Sequence, residues 1–301
     1  SASNLEVINK LDTATFLLLV KGELKEAGDS ARLLISKSED IFYKKGIATG
    51  YKWLGMTKLL SGSREEAKPI LEKGYAVIEN EGDEYPLKAY FVLRLAECYH
   101  ATGDSKKEMQ MIITALKLES LTDNPKTSVD LNNYLGNYHI DRLNLDSSII
   151  HLMNAYRSSE KIENFDRIKS AIALNLGKAL VARGNYEDAK EYFDIAYQIK
   201  APDGKIGDST GIATLYLNLE TLYSKQDSTD LAIEYATKAY NLSKSISNQA
   251  LNVNATANLG ALFILKKDYP KSIKYLNEAT IGAKGINDNY LLCGNYGNLG
   301  V

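Results

Sequence analysis

The stretch "NLGKALVARGNYEDA", Asn175 to Ala189, carries the pattern that decides the fold. Its first triplet returns at Asn258 and at Asn298. Aligned on the Leu of that triplet, the chain places Leu54, Leu95, Leu135, Leu176, Leu219, Leu259 and Leu299 in one register, at spacings of 41, 40, 41, 43, 40 and 40. The next residue is small six times (Gly55, Ala96, Gly136, Gly177, Gly260 and Gly300), and Glu220 is the exception. A period of this size marks a repeat architecture, in which each unit buries its faces only against its neighbours.

Twenty residues after each of the first six Leu comes another small residue: Gly74, Ala115, Ala155, Ala196, Ala239 and Ala279. Thirteen residues after it stand Ala67, Ser148, Ala189, Ala232 and Ser272, with Glu108 out of line. Leu18, Ala31 and Ser38 fit an earlier, weaker unit. Apolar residues fall at helical spacing on both sides of a short polar turn, so each unit reads as two helices. Gly184 and Asn185 stop one helix and Tyr186 starts the next; "LSGSREEA", "ATGDSKKE" and "LKKDYPKS" repeat the device. Gly accommodates a left-handed closing residue, and Asp or Ser caps the helix that follows. Pro270 fits a first turn, where its missing N–H would have no partner. The small slots are expected where the paired helices cross. There Gly177 and Ala189 would face one another, with Leu176, Leu180, Tyr192 and Phe193 filling the space around them.

The bulk numbers agree with a folded soluble chain. Of 301 residues, 45% are hydrophobic and 25% charged, both ordinary values. A net charge of −2 with interleaved signs argues against a surface dominated by basic residues for nucleic acid or membrane. The apolar run "FLLLV", Phe16 to Val20, is far short of the ~18 residues that cross a bilayer. Cys98 and Cys293 lie 195 positions apart and form no disulfide framework. The most irregular stretch runs from Ala201 to Thr210. A start at Ser1 rather than Met implies a removed leader or upstream segment, or a cloning remnant.

Residues with catalytic potential do not assemble by spacing. His100, His139 and His151 lack a His-Glu-x-x-His or Cys-x-x-Cys context, and packing or surface roles are expected for them. "GNYGNLG", Gly294 to Gly300, has the wrong spacing for a phosphate loop and follows no strand. "DGKIGD", Asp203 to Asp208, lacks calcium-loop spacing and reads as a lengthened turn. Asp130 and Asp141 are eleven apart, about three turns along one helix and too far for a coupled acid pair. The sequence therefore implies no catalytic residues, no metal site and no cofactor, and a protein that is not an enzyme.

"LGALF" (Leu259 to Phe263), "LAECY" (Leu95 to Tyr99) and "GNYEDA" (Gly184 to Ala189) resemble the tetratricopeptide repeat over essentially the whole chain. The fold implied is all-α, a right-handed α-solenoid of helix-turn-helix repeats. Residues 1–301 are expected to form a single solenoid of about seven helix pairs plus the first helix of an eighth. Because Val301 falls inside that helix, a longer protein is expected to continue beyond it. These repeats exceed the usual 34 residues, and the Pro that often closes a repeat is mostly absent. Long repeats occur in the kinesin light chain, in bacterial peptide-pheromone receptors and in sensor regions of bacterial signalling proteins. "KIENFDRIKSAIALNLG" and "KGINDNYLLCGNYGNLG" resemble the last group, which favours an extracytoplasmic over a cytoplasmic setting.

The slot before the Leu reads Trp53, Arg94, Tyr134, Asn175, Asn218, Asn258 and Asn298. It is turned about 100° from the core-facing Leu. The resemblance places this slot on the concave groove and implies that the four Asn bond a peptide backbone; the alternative reading makes them structural. The same face adds Tyr90 and Glu97 near Arg94, Asp130 and Asn137 near Tyr134, and Lys178 near Asn175. It further adds Thr214 and Thr221 near Asn218, and Asn254 near Asn258. An amide both donates and accepts, as an extended backbone requires. Trp53 and Tyr134 suit an apolar anchor, and Arg94 suits a carboxylate. The expected partner is a protein or peptide segment, with no nucleic acid and no membrane contact. The expected role is a scaffold or sensory region of a larger bacterial signalling or regulatory protein. The alternatives are a small-molecule or glycan sensor that stacks its ligand on Trp53 and Tyr residues, or a regulator of a partner enzyme.

Overall fold

The computed structural model describes residues 2–121, 124–286 and 288–300, and Val301 lies outside them. The turn glycines take the conformation their spacing implies: Gly62, Gly103 and Gly184 have φ of +79°, +73° and +93°. At the matching turn position Leu143, Asp227 and Lys267 enter the same left-handed region, at φ of 57°, 57° and 59°, without the freedom that a missing Cβ gives. The turns close with a backbone N–H returning to a carbonyl five residues back, as in Asn185 to Leu180 and Asp268 to Phe263, both 2.9 Å. Those bonds satisfy carbonyls that the helix end would otherwise leave open. Asp104, Asn248, Asp268 and Asp288 then cap the following helices through their side-chain oxygens.

The irregular stretch is a short 3-10 turn, Pro202–Gly204. After it, Asp208 caps the next helix at the Gly211 N–H and pairs with Lys200 at 2.7 Å. That pairing accounts for Asp208, one of the two acids of the stretch. Cys98 is buried and Cys293 exposed, and both are free thiols.

The chain divides into two compact units, residues 1–134 and 135–301, with the boundary inside one helix. Unit 1 contains α1 (Ala2–Lys21), α2 (Leu24–Glu39), α3 (Lys44–Leu60), α4 (Arg64–Ile78), α5 (Tyr85–Ala101), α6 (Ser105–Glu119) and the first part of α7 (Pro125–Asp141). Unit 2 contains the rest of α7, then α8 (Leu145–Ser159), α9 (Asp166–Arg183), α10 (Tyr186–Lys200), α11 (Ser209–Lys225), α12 (Thr229–Ser245), α13 (Gln249–Leu265), α14 (Tyr269–Gly285) and α15 (Asn289–Leu299). No strand occurs among the described residues. The fold is all-α, an α-solenoid of helix pairs.

Consecutive helices pack on one another from α1 through α6 in unit 1 and from α8 through α15 in unit 2. First helices of successive repeats also touch, α1 on α3 in unit 1, and α9 on α11, α11 on α13 and α13 on α15 in unit 2. No comparable packing joins α10 to α12 or α12 to α14 among the described residues. Within each unit the first helices therefore form an inner layer and the second helices an outer one.

The register Leu points into the core: Leu95, Leu135, Leu176, Leu219 and Leu259 are buried, while Leu54 and Leu299 are half-buried. The glycine that follows is overlain by a large side chain sixteen residues on. A methyl added to Gly55, Gly136, Gly177 or Gly260 would overlap Leu71, Leu152, Phe193 or Leu276. What fills the space at Gly177 is thus the Phe193 ring rather than Ala189. Ala189 is itself fully buried in the same cluster, with Leu176, Leu180 and Ala196. In the Leu219 repeat the sizes are exchanged. Glu220 stands in the small slot and Ala236 sixteen residues later, and both are buried. Glu108, the other departure, is buried and bonded by His100 at 3.0 Å and by the Tyr134 hydroxyl at 3.3 Å.

Candidate binding surfaces on the inner helices

Unit 1 gathers its candidate residues on α1, α3, α5 and α7. Trp53 donates its ring N–H to Asp12 at 2.5 Å and packs against Phe16, with ring centroids 5.9 Å apart. The Lys52 ammonium lies 3.9 Å from the centre of the Trp53 ring and 5.4 Å from that of Tyr90. Arg94 sits one helical turn from Tyr90, 5.8 Å from its ring centre, and pairs with Glu97 at 2.6 Å. The Tyr90 hydroxyl and the Arg94 Nε are buried without a hydrogen-bond partner. Tyr134 is half-buried and bonds Glu108.

The charges of this wall are held toward their neutral forms. Burial pushes the Glu97 carboxyl up against the opposing pull of Arg94 and Arg64. Burial pushes the Lys52 ammonium down against Asp12 and Asp130. Desolvation first, then the neighbouring Glu97 and Asp130 charges, hold the Tyr90 phenol above its ordinary range against Arg94. Asp130 is exposed, yet protein on several sides thins its hydration and raises its carboxyl, opposed by Arg94, Lys126 and Lys52. The physical cause is shared: a charge loses solvation where protein surrounds it, and partners compensate only in part.

Unit 2 holds the remaining candidates. Asn137 and Asn175 are half-buried and both engage neighbours. Lys178 and Asn218 come together with Val181, Ala182, Thr221 and Lys225 around a recess of about 200 Å³ between α9 and α11. The recess has an apolar floor. Neither Lys178 nor Lys225 forms an ion pair, and the Asn218 amide makes no hydrogen bond to protein among the described residues. Asn254 turns its amide back to the Ala250 carbonyl of its own helix at 3.0 Å. Asn258 donates to Glu220 at 2.8 Å. Asn298 is exposed in the last turn of α15.

Two residue sets escape a reading based on the Asn slot. Lys225 belongs with Asn218 and Thr221 because steps of three and seven keep one helix face. Lys52 lies beside Trp53 in sequence, yet its ammonium covers that ring, which spacing does not show. Glu220 was visible as a break in the small slot, and its exchange with Ala236 needed the sixteen-residue step. His139 stacks on His151 at 5.5 Å with the rings 6° from parallel, a packing arrangement.

A family sequence model described as tetratricopeptide repeat matches residues 169–245, from α9 through α12. The solved structures extend that likeness over the chain. The chain has the fold of tetratricopeptide-repeat structures. One similar structure is the STAND protein PH0952 from Pyrococcus horikoshii, described as having a tetratricopeptide repeat sensor. It superposes with a TM-score of 0.73 at 17% identity over 97% of this chain. This chain spans 43% of that protein. The apo form of RapI gives a TM-score of 0.70 at 12% identity, covering 94% of this chain and 99% of RapI. A Rap protein complexed with competence and sporulation factor gives 0.69 at 14% identity, covering 96% and 80%. No curated protein matches the sequence. At these identities the likeness establishes the tetratricopeptide fold.

Proposed function

We propose that this tetratricopeptide-repeat chain binds a peptide segment along the inner helices of unit 2, as the sensory or interaction region of a bacterial signalling protein. The observation that carries the reading is the recess between α9 and α11, where Asn218 and two lysines, all without side-chain partners among the described residues, surround an apolar floor. An extended peptide offers that recess an apolar side chain, a backbone group for the amide, and carbonyl or carboxylate oxygens for Lys178 and Lys225. The Rap protein described with competence and sporulation factor, and the STAND protein described with a repeat sensor, support this reading by shared fold. The reading involves no catalysis and no cofactor, and it takes residues 1–301 as one repeat domain.

The geometry around Trp53 disfavours the glycan alternative. Trp53 is tied to Asp12, packed on Phe16 and covered by Lys52, so a sugar would have to displace an ammonium to stack there.

The test is binding of the 301-residue chain to an array of random twelve-residue peptides. Asn218→Ala and Lys178→Ala are expected to weaken the selected peptides about tenfold each with an unchanged melting temperature. Variants that bind as tightly as the parent would remove the recess from the reading.

A further inference from the structure

Glu220 occupies a slot that is Gly or Ala in the other repeats, and Ala236 provides the room that Leu71, Leu152, Phe193 and Leu276 fill elsewhere. A carboxyl group has been accommodated in the core beside the inner wall by a paired change of size. One of its oxygens, Oε2, accepts from Asn258 Nδ2 at 2.8 Å and lies 3.3 Å from the Thr221 hydroxyl. The other, Oε1, has no hydrogen-bond or ion-pair partner among the described residues. Among the described residues no lysine or arginine pairs with the group.

This contact fixes Asn258. An ionised carboxylate only accepts, so it selects the amide orientation in which Nδ2 points to Glu220. The Asn258 carbonyl oxygen is then left without a partner among the described residues. The hydrogen-bonded side chains of Glu220 on α11 and Asn258 on α13 thus each keep one acceptor, Oε1 and Oδ1, without a partner among the described residues.

We propose that this pair is a subsite for a cationic hydrogen-bond donor of the ligand, a lysine or arginine side chain or a terminal ammonium, with Glu220 also acting as the positioning residue for Asn258. The inference rests on the peptide reading above and adds a requirement to it: a positive group one repeat step from the part of the ligand that enters the Asn218 recess.

The subsite responds to pH. Burial raises the Glu220 carboxyl to about 7, partly offset by its hydrogen bonds from Asn258 and Thr221. No charged side chain of the elements packed on α11, namely α9, α10, α12 and α13, contributes to that shift. Protonation removes the charge and lets the carboxyl donate, so Asn258 is free to turn over and present its NH₂ instead.

The experiment uses the full chain and peptides selected from the array. Each lysine or arginine is replaced by acetyl-lysine or citrulline, and binding is measured at pH 6 and pH 8. At pH 8 one position is expected to lose about tenfold or more on neutralisation, with the preference falling at pH 6. Glu220→Gln is expected to abolish the preference. The double variant Glu220→Gly with Ala236→Leu restores the size pattern of the other repeats and is expected to do the same, which guards against a Gln variant that fails to fold. Retention of the preference in either folded variant overturns the proposal. Selected peptides that bind without any cation preference overturn it while leaving the peptide reading intact. An array on which nothing binds overturns both.

Discussion

Gly177 in α9 is overlain by the Phe193 ring of α10, and the same sixteen-residue step joins Gly55 to Leu71, Gly136 to Leu152 and Gly260 to Leu276. The step makes the glycines a steric requirement of the helix crossing. Gly177→Val is therefore expected to destabilise the chain. A more favourable helix propensity offsets a little of the cost, but overpacking a site that already touches a ring dominates, for a net loss of about 1–3 kcal/mol. Urea unfolding followed by circular dichroism measures it. A variant as stable as the parent would show that Phe193 moves aside freely.

Leu143 presents the opposite case. It has φ of 57° and is 84% exposed, so it holds a left-handed turn position that Gly62, Gly103 and Gly184 hold elsewhere, and gains little packing in return. Leu143→Gly is expected to stabilise by about 0.5–1 kcal/mol. The relief of the Cβ clash exceeds the added freedom of the unfolded chain. A lower urea midpoint would mean that the Leu side chain contributes more than its exposure suggests.

The repeat register and the turn chemistry were legible because both are local or periodic. Leu, small residue and turn glycine recur at fixed steps, and backbone geometry converts those steps directly into helices and closures. The inner wall was legible only as a face. That Asn175, Asn218, Asn258 and Asn298 share one slot follows from helix geometry. That they differ in use does not, since Asn258 is held by a carboxyl from the preceding repeat while Asn218 opens on a recess. Contacts between repeats join residues about forty positions apart, Trp53 to Asp12 or Asn258 to Glu220, and no single-helix pattern encodes them. The expected partner of Gly177 was misplaced for a related reason: Ala189 shared its smallness, but Phe193 shared its position.

Tyr90 separates stability from recognition in unit 1. Its hydroxyl is buried without a partner, and an unpaired buried hydroxyl costs about 1–3 kcal/mol of desolvation. Tyr90→Phe keeps the ring against Phe91 and Lys52 while removing that group. The expected result is equal or greater stability, by up to about 1 kcal/mol, read from the thermal midpoint. A clear loss of stability would show that the hydroxyl is well satisfied in solution.

His139 and His151 give unit 2 a dependence on acid. Desolvation lowers both imidazoles below their ordinary value, assisted at His139 by Arg142 and at His151 by the facing His139. The unfolded chain therefore takes up these protons first. Their packing is undisturbed above pH ~6.5, and stability falls as the pH drops through that value toward the lowered folded ones. His139→Phe keeps an aromatic partner for His151 and is expected to flatten the decline between pH 7 and pH 5. An unchanged slope would assign the acid sensitivity to other groups.

Glu220 runs in the other direction, because a raised carboxyl favours the protonated fold. The unfolded chain releases this proton near the ordinary 4.5 and the folded chain near 7. The penalty of holding the ionised group is absent below pH ~4.5 and grows as the pH rises between those values. By pH 8 the shift corresponds to about 3 kcal/mol as an order of magnitude. Glu220→Gln has nothing to ionise and still offers Asn258 a carbonyl. Compared with the parent, it is expected to gain stability steadily from pH 5 to pH 8, by about 2–3 kcal/mol in the difference between the two ends. Chemical denaturation at four pH values, with parent and variant side by side, reads that difference directly. A pH-independent offset between the two proteins would mean that the carboxyl titrates normally and that water reaches it freely.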